Sequence, residues 1–339
     1  MRRANCTPDA ITYSTLIKAY VSTAQMSRAF GLLEDMAKMQ MLDATAFNTV
    51  LAGLARRKQW RQAKELLSQM EDEEGVDPDL MSYSHGITAC VRARRVDEAK
   101  KMFRTMQDRG IVANRQVYST LMAGFGASGA LNEAQALFKL MQERRVSPNE
   151  FTMSSLIEAY LKAGYAADAL KLQQRLPEMG LVMDDVLETQ RIRALAQLGL
   201  FSNATEALLA LREGARGSQA SLGPIPYNEI VKQAQLQARP DLAKETLALM
   251  LAHKVTPNRM TYELMVLLTD PSLQGMKRVT YLLDIIALVR ENRLVPMGPL
   301  YVAALQASVE ANEPELCGLL LDDAAAGKFS ISRAEHGPI

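Results

Sequence analysis

The sequence predicts an all-α fold, an α-solenoid of about nine stacked antiparallel helix pairs, and three observations carry that prediction. Ala, Leu and Met are plentiful while aromatic residues make up 6% of the chain, a balance that favours helix over sheet. No segment shows the period-two alternation of a half-buried strand. Above all, the chain repeats. Ala29, Ala63, Ala99, Ala134, Ala169, Ala204 and Ala243 follow one another at spacings of 34, 36, 35, 35, 35 and 39 residues, and self-similarity at such a period marks a repeat array.

Each unit reads as helix, tight turn, helix, turn. The first helix opens on an aromatic: Tyr13, Phe47, Tyr83 and Tyr118 lie 34, 36 and 35 residues apart. Gly129, Gly164 and Gly199 fall between the two helices, where a left-handed cap suits glycine. The ruler alanine centres the second helix and lets neighbours approach closely. Met36, Met70, Met106, Met141 and Met250, with Leu176 and Leu211 in the intervening copies, fill the space between units as ordinary core. Repeats close on Pro8-Asp9, Pro78-Asp79, Pro148-Asn149 or Pro257-Asn258.

One pair cannot bury its apolar face alone, so the pairs must stack. Residues 10–43, 44–79, 80–114, 115–149, 150–184 and 224–258 are regular units. The unit at 185–223 is stretched by GARGSQASLG, that at 259–297 by DPSLQG, and 298–331 is a degenerate closing pair. Residues 1–9 read as the remnant of a preceding repeat or a leader, 10–263 as the binding solenoid, and 264–339 as degenerate repeats with a helical cap.

Several function classes drop out. Gly124, Gly126 and Gly129 spell G-x-G-x-x-G, but a dinucleotide turn needs a strand before it, and VYSTLMAG has no such pattern. The same phase recurs in other repeats without the glycines. His85, His253 and His336 are scattered, and Cys6, Cys90 and Cys317 form no CxxC, so no catalytic or metal constellation emerges and no cofactor is expected. No apolar run is long enough to span a membrane. The 39 basic and 38 acidic side chains balance overall, yet residues 1–149 hold 21 and 16 against 18 and 22 in the rest. A mildly basic front half is compatible with nucleic acid. The run Glu71-Asp72-Glu73-Glu74 reads as an exposed acidic loop.

TYSTLI at 12–17, the Ala and Met rulers, the Pro-Asp and Pro-Asn closes and the period of 35 together resemble the pentatricopeptide repeat family. TYSTLMAGFGASGALNEAQALFKLMQERRVSPN follows that family's consensus nearly throughout, apart from Val117 where Thr usually stands. The resemblance is strong over 8–184, good at 224–263 and weak elsewhere. It implies a right-handed superhelix, here an array without an appended catalytic domain, that binds single-stranded RNA one base per repeat in mitochondria or plastids. It implies no enzyme activity, no membrane and no small-molecule substrate, with other ribonucleoprotein proteins as further partners. A different reading of the same solenoid is a protein–protein scaffold within a ribonucleoprotein.

The family's base-reading pair is a small polar residue after the first-helix aromatic, combined with the last residue of the repeat. Carried onto this chain, the pairs are Ser14 with Asp43, Asn48 with Asp79, Ser84 with Asn114, Ser119 with Asn149, and Ser154 with Asp184. Thr189 with Gly223 departs from the pattern, Asn228 with Asn258 restores it, and Glu263 with Met297 does not match. The chemistry is consistent: ionised Asp only accepts, which suits the N–H of G or U, whereas Asn also donates, which suits A or C. The resulting site is 5′-G-U-A-A-G-N-(C/U)-3′. Asp and Asn at these positions equally suit helix N-caps. Three residues before each reader stand the base wedges Ile11, Met81, Phe151, Val186 and Ile225, with Met260 and the weaker Thr45 and Gln116 in register. Packing in the first helical turn is the other reading of these positions. Arg56, Arg92 and Lys162 occupy the phosphate-contacting position near the end of the first helix, and a solvated charged face is its counterpart.

Overall fold

The computed structural model describes residues 8–72, 76–215, 223–267, 276–292, 294 and 296–326. Cys6, His336 and most of the two stretched insertions lie outside them. The chain forms two compact units, Met1–Val182 and Met183–Ile339. In the first, α1 (Ala10–Ser22) and α2 (Met26–Lys38) make the first pair, and α3 (Ala44–Arg56) and α4 (Trp60–Asp72) the second. The third is α5 (Leu80–Arg92) with α6 (Val96–Asp108), the fourth α7 (Arg115–Ser128) with α8 (Leu131–Glu143), and the fifth α9 (Glu150–Lys162) with α10 (Ala166–Gln174). The second unit contains α11 (Asp185–Gln197), α12 (Phe201–Ala215), α13 (Ile225–Leu236), α14 (Pro240–Ala252), α15 (Arg259–Leu267), α16 (Met276–Glu291), α17 (Gly298–Glu310) and α18 (Pro314–Ala326). Among the described residues there is no strand.

Within each unit the first helices stack in series: α1 on α3, α3 on α5, α5 on α7, α7 on α9, and then α11 on α13, α13 on α15, α15 on α17. All seven ruler alanines are fully buried, as are Met36, Met70, Met106, Met141 and Leu176. Leu211 departs from the expectation and is only half-buried.

The glycines behave in two ways. Gly129, Gly164 and Gly199 adopt positive φ of 73, 85 and 75°, as the turn requires. Yet Ala24, Lys58, Arg94 and Ala238 hold the same turn position at φ 73, 61, 59 and 51°. Stacking therefore imposes the turn even where a side chain costs about 1–2 kcal/mol in that conformation. Gly126 serves packing instead. A Cβ there would overlap the Ser155 carbonyl oxygen, so α7 and α9 touch backbone to backbone at this point. The G-x-G-x-x-G letters are thus helix packing followed by a helix stop.

Pro177 ends α10 early, having no N–H to donate and crowding the turn before it. A short 3₁₀ turn, Pro177–Met179, carries the chain onward. The acidic run is also partly helical: Glu71 and Asp72 form the end of α4. Glu71 accepts from the Tyr83 hydroxyl at 3.0 Å and pairs with Arg109 at 3.1 Å, so it ties repeats together rather than hanging in a loop. Burial and this carboxylate push the Tyr83 hydroxyl up to about 12. Glu73 and Glu74 lie outside the described residues.

Candidate nucleic-acid interface

Every described repeat junction that ends in Asp or Asn is capped the same way. Asp9, Asp43, Asp79, Asn114, Asn149, Asp184 and Asn258 each use Oδ1 to accept from the backbone N–H three residues on, at 2.8–3.0 Å. The capping role expected of these residues is real, and it leaves room for a second one. With Oδ1 turned into the helix end, the cap does not use the other atom: a carboxylate oxygen in Asp, an amide NH₂ in Asn.

The small polar residues of the first helices meet these caps across the repeat. The Asn48 amide donates to Asp79 Oδ1 at 3.2 Å, and the Asn228 amide to Asn258 Oδ1 at 3.2 Å. Ser119 reaches Asn149 through the hydroxyl of Thr152, at 2.8 and 2.7 Å. Ser14 and Asp43 share a cleft of about 700 Å³ along α1, α3 and α5. Ser84 is half-buried at the same position of α5, and Asn114 caps α7. Ser154 and Asp184 belong to different units; the first is half-buried in α9 and the second caps α11. Thr189 gives its hydroxyl proton to the Asp185 carbonyl at 2.7 Å, and Gly223 offers no side chain. Glu263 is held by Arg259 at 2.7 Å.

Burial works to raise the Asp79 carboxyl. Hydrogen bonds from the Ser82 N–H, the Ser82 hydroxyl and the Asn48 amide together outweigh it and hold the group below the ordinary 3.8. Asp79 is therefore an acceptor throughout the neutral range.

The wedge positions are open to solvent, so first-turn packing does not account for their apolar character. Ile11 is 75% exposed, Ile225 64%, Val186 56%, Phe151 55% and Met81 50%. Met260, Thr45 and Gln116 are exposed as well. The cleft brings Ile11, Thr45 and Met81 together with Ser14, Asp43, Asn48 and Arg56. Two further residues on its wall, Lys18 and His85, were not expected from the sequence. Lys18 falls four residues after Ser14, a candidate reader, one helical turn along, which is the signal that would have found it.

The three phosphate candidates differ. Arg56 and Arg92 are exposed in the last turns of α3 and α5, with no ion pair among the described residues. Lys162 instead donates to the Ala127 carbonyl at 2.7 Å, closing the end of α7, and lies 3.5 Å from Glu158. Beside the arginines, the Arg61 and Arg95 guanidinium groups lie 5.3 and 5.7 Å from the Trp60 ring. This contact joins the turn tips of the second and third repeats into one basic surface. Among the described residues no helix is long and apolar enough to cross a membrane.

Stacked helix pairs with a regular row of capped polar positions define a helical-repeat protein. Residues 78–126 and 113–162 match the family described as PPR repeat family, and 11–41, 45–74 and 151–181 match PPR repeat. The chain belongs to the pentatricopeptide repeat family. It is 34% identical over 126 residues to a chloroplastic pentatricopeptide repeat-containing protein of Arabidopsis thaliana, a match covering 37% of this chain and 16% of that one. It is also 34% identical over 106 residues to the mitochondrial 15S rRNA processing factor ppr3 of Schizosaccharomyces japonicus, covering 31% and 16%. The matches thus span about a sixth of these relatives. Among solved structures, PPR10 in complex with an 18-nt psaJ RNA element aligns with a TM-score of 0.48 at 20% identity, over 95% of this chain and 50% of that one.

Proposed function

We propose that this chain binds single-stranded RNA one base per repeat, reads 5′-G-U-A-A-G-N-(C/U)-3′ with its first seven repeats, and acts in organellar RNA processing, stability or translation. The observation that carries this is the meeting of each first-helix Asn with the cap of the next repeat, Asn48 with Asp79 and Asn228 with Asn258. A polar pair in six of the first seven repeats, with an exposed and mostly apolar residue between successive pairs, suits splayed bases, which are hydrogen-bonded at the edge and covered on the face. Asp leaves an acceptor for the N–H of G or U, and Asn leaves a donor for A or C. The relatives named as chloroplastic or as a mitochondrial rRNA processing factor support RNA as the partner and an organelle as the place.

The test is fluorescence anisotropy of the purified chain on an oligonucleotide containing GUAAG against one containing GUGGG. Tight binding to the first, shifted to the second by Asn114→Asp with Asn149→Asp, is the expected result. Equal binding to a scrambled heptamer would remove base reading. No binding to any of them by a folded chain would leave the protein-scaffold reading in its place.

A further inference from the structure

The reader pairs fall into two groups, and neither reader residue makes the difference. It lies at the third residue of the following first helix, beside the cap. Ser82, Thr152 and Thr261 carry a hydroxyl there; Ala46, Val117 and Leu187 do not. In each case where the hydroxyl exists it touches both members of the preceding pair. Ser82 Oγ lies 2.7 Å from Asn48 Oδ1 and 2.8 Å from Asp79 Oδ1. Thr261 Oγ1 lies 2.8 Å from Asn228 Oδ1 and 3.0 Å from Asn258 Oδ1. Thr152 Oγ1 lies 2.8 Å from Ser119 Oγ and 2.7 Å from Asn149 Oδ1.

A hydroxyl has one proton to give. Shared between two acceptors, Asn48 Oδ1 and Asp79 Oδ1, it favours the Asn48 oxygen on the hydroxyl side and leaves the Asn48 nitrogen as the atom that bonds Asp79 Oδ1, which is the observed contact. The amide can then turn only one way, and the edge it offers a base is set before any base arrives. The same holds for Asn228. Ser82 and Thr152 are themselves fully buried, and Thr261 with them, so the bridge is shielded from water that would compete for it.

We propose that Ser82, Thr152 and Thr261 are positioning residues that preorganise the reader pair of the preceding repeat and so sharpen its base preference. This rests on the base-reading function proposed above. Repeats three and four supply an internal comparison. Both read through Ser and Asn, Ser84 with Asn114 and Ser119 with Asn149, yet Val117 stands at the bridge position of one and Thr152 at that of the other.

The experiment is competition anisotropy on the full chain, with oligonucleotides changed from A to G at the third or the fourth base alone. In the unmodified chain, discrimination is expected to be sharper at the fourth base, by on the order of fivefold for one well-placed hydrogen bond. Thr152→Val brings the fourth base down to the level of the third and leaves the third unchanged. Thr152→Ser keeps the difference, and Val117→Thr raises the third base to match. Equal discrimination at both bases that ignores these substitutions overturns the proposal while base reading stands. A Thr152→Val loss spread evenly over all five bases overturns it too, since that marks a lost helix cap. A chain with no base preference at any position overturns the base-reading function and this proposal together.

Discussion

Asn48 and Asp79 stand 31 residues apart, at the start of one helix and the entry to the next repeat's first helix, and the amide of one donates to the carboxylate of the other at 3.2 Å. The contact makes a local helix cap part of a long-range pair. Asp79→Asn keeps the cap and is expected to shift the second base preference from U toward C with stability nearly unchanged. Asp79→Ala removes the cap as well and lowers unfolding stability by about 1 kcal/mol. Urea denaturation with anisotropy on the two oligonucleotides separates these effects.

The glycines of α7 predict a graded series. Gly126→Ala drives a methyl into the Ser155 carbonyl and forces α7 and α9 apart, with an expected cost of about 1–3 kcal/mol. Gly124→Ala meets only the Val91 side chain, 3.1 Å away, which can move, so a smaller loss is expected. Gly129→Ala pays about 1 kcal/mol for its left-handed backbone. Chemical denaturation midpoints should fall in that order, with Gly126→Ala lowest.

Phe151 is more than half exposed and still apolar. Phe151→Ala is expected to leave stability within about 0.5 kcal/mol. Its effect should show in RNA affinity, where losing one base–aromatic contact costs about 1–3 kcal/mol. A stability loss with unchanged affinity would return this position to packing.

Salt dependence separates the three basic residues. Arg56→Ala and Arg92→Ala should each flatten the log–log slope of affinity against salt by about 0.7. Lys162→Ala should leave the slope alone, because its ammonium is held by Ala127 and Glu158. A steeper dependence on Lys162 than on either arginine would reverse this assignment.

His85 on the cleft wall has its pKa lowered from 6.5, chiefly by burial; Asp79 pulls the other way and Arg56 adds to the lowering. Between the folded value and 6.5, the unfolded chain holds more proton than the folded one, so stability rises with pH there. The contribution is fully present above 6.5 and is lost as pH falls through the folded value. Denaturation midpoints followed across that window should decline toward acid in the parent chain and decline less in His85→Asn.

Much of this was legible in the sequence because a repeat writes its constraints many times. The seven alanines mark the first seven helix pairs, the methionines and the Asp or Asn closes mark most of these, and the alanines and methionines lie buried as expected. Other features were hidden for definite reasons. The left-handed turns at Ala24, Lys58 and Arg94 carry no glycine, because stacking holds them in place of local preference. Lys162 looks like its neighbours in sequence and differs only because Ala127 presents a carbonyl to it. The shortening of α10 did have a signal, Pro177, within an otherwise regular repeat. Ser82, Thr152 and Thr261 were readable as helix-start residues, but their reach to the preceding repeat depends on how the helices stack.

The shared use of the cap limits how such an array can be rewritten. A residue placed at the end of a repeat must first close a helix, so the spelling available there is confined to side chains that can do so. If these residues read bases as proposed, changing the message and keeping the page intact are one decision at Asp43, Asp79, Asn114, Asn149, Asp184 and Asn258. The freer choice lies in the first helix at Ser14, which closes no helix, whereas Asn48 is itself tied to Asp79 and Ser82.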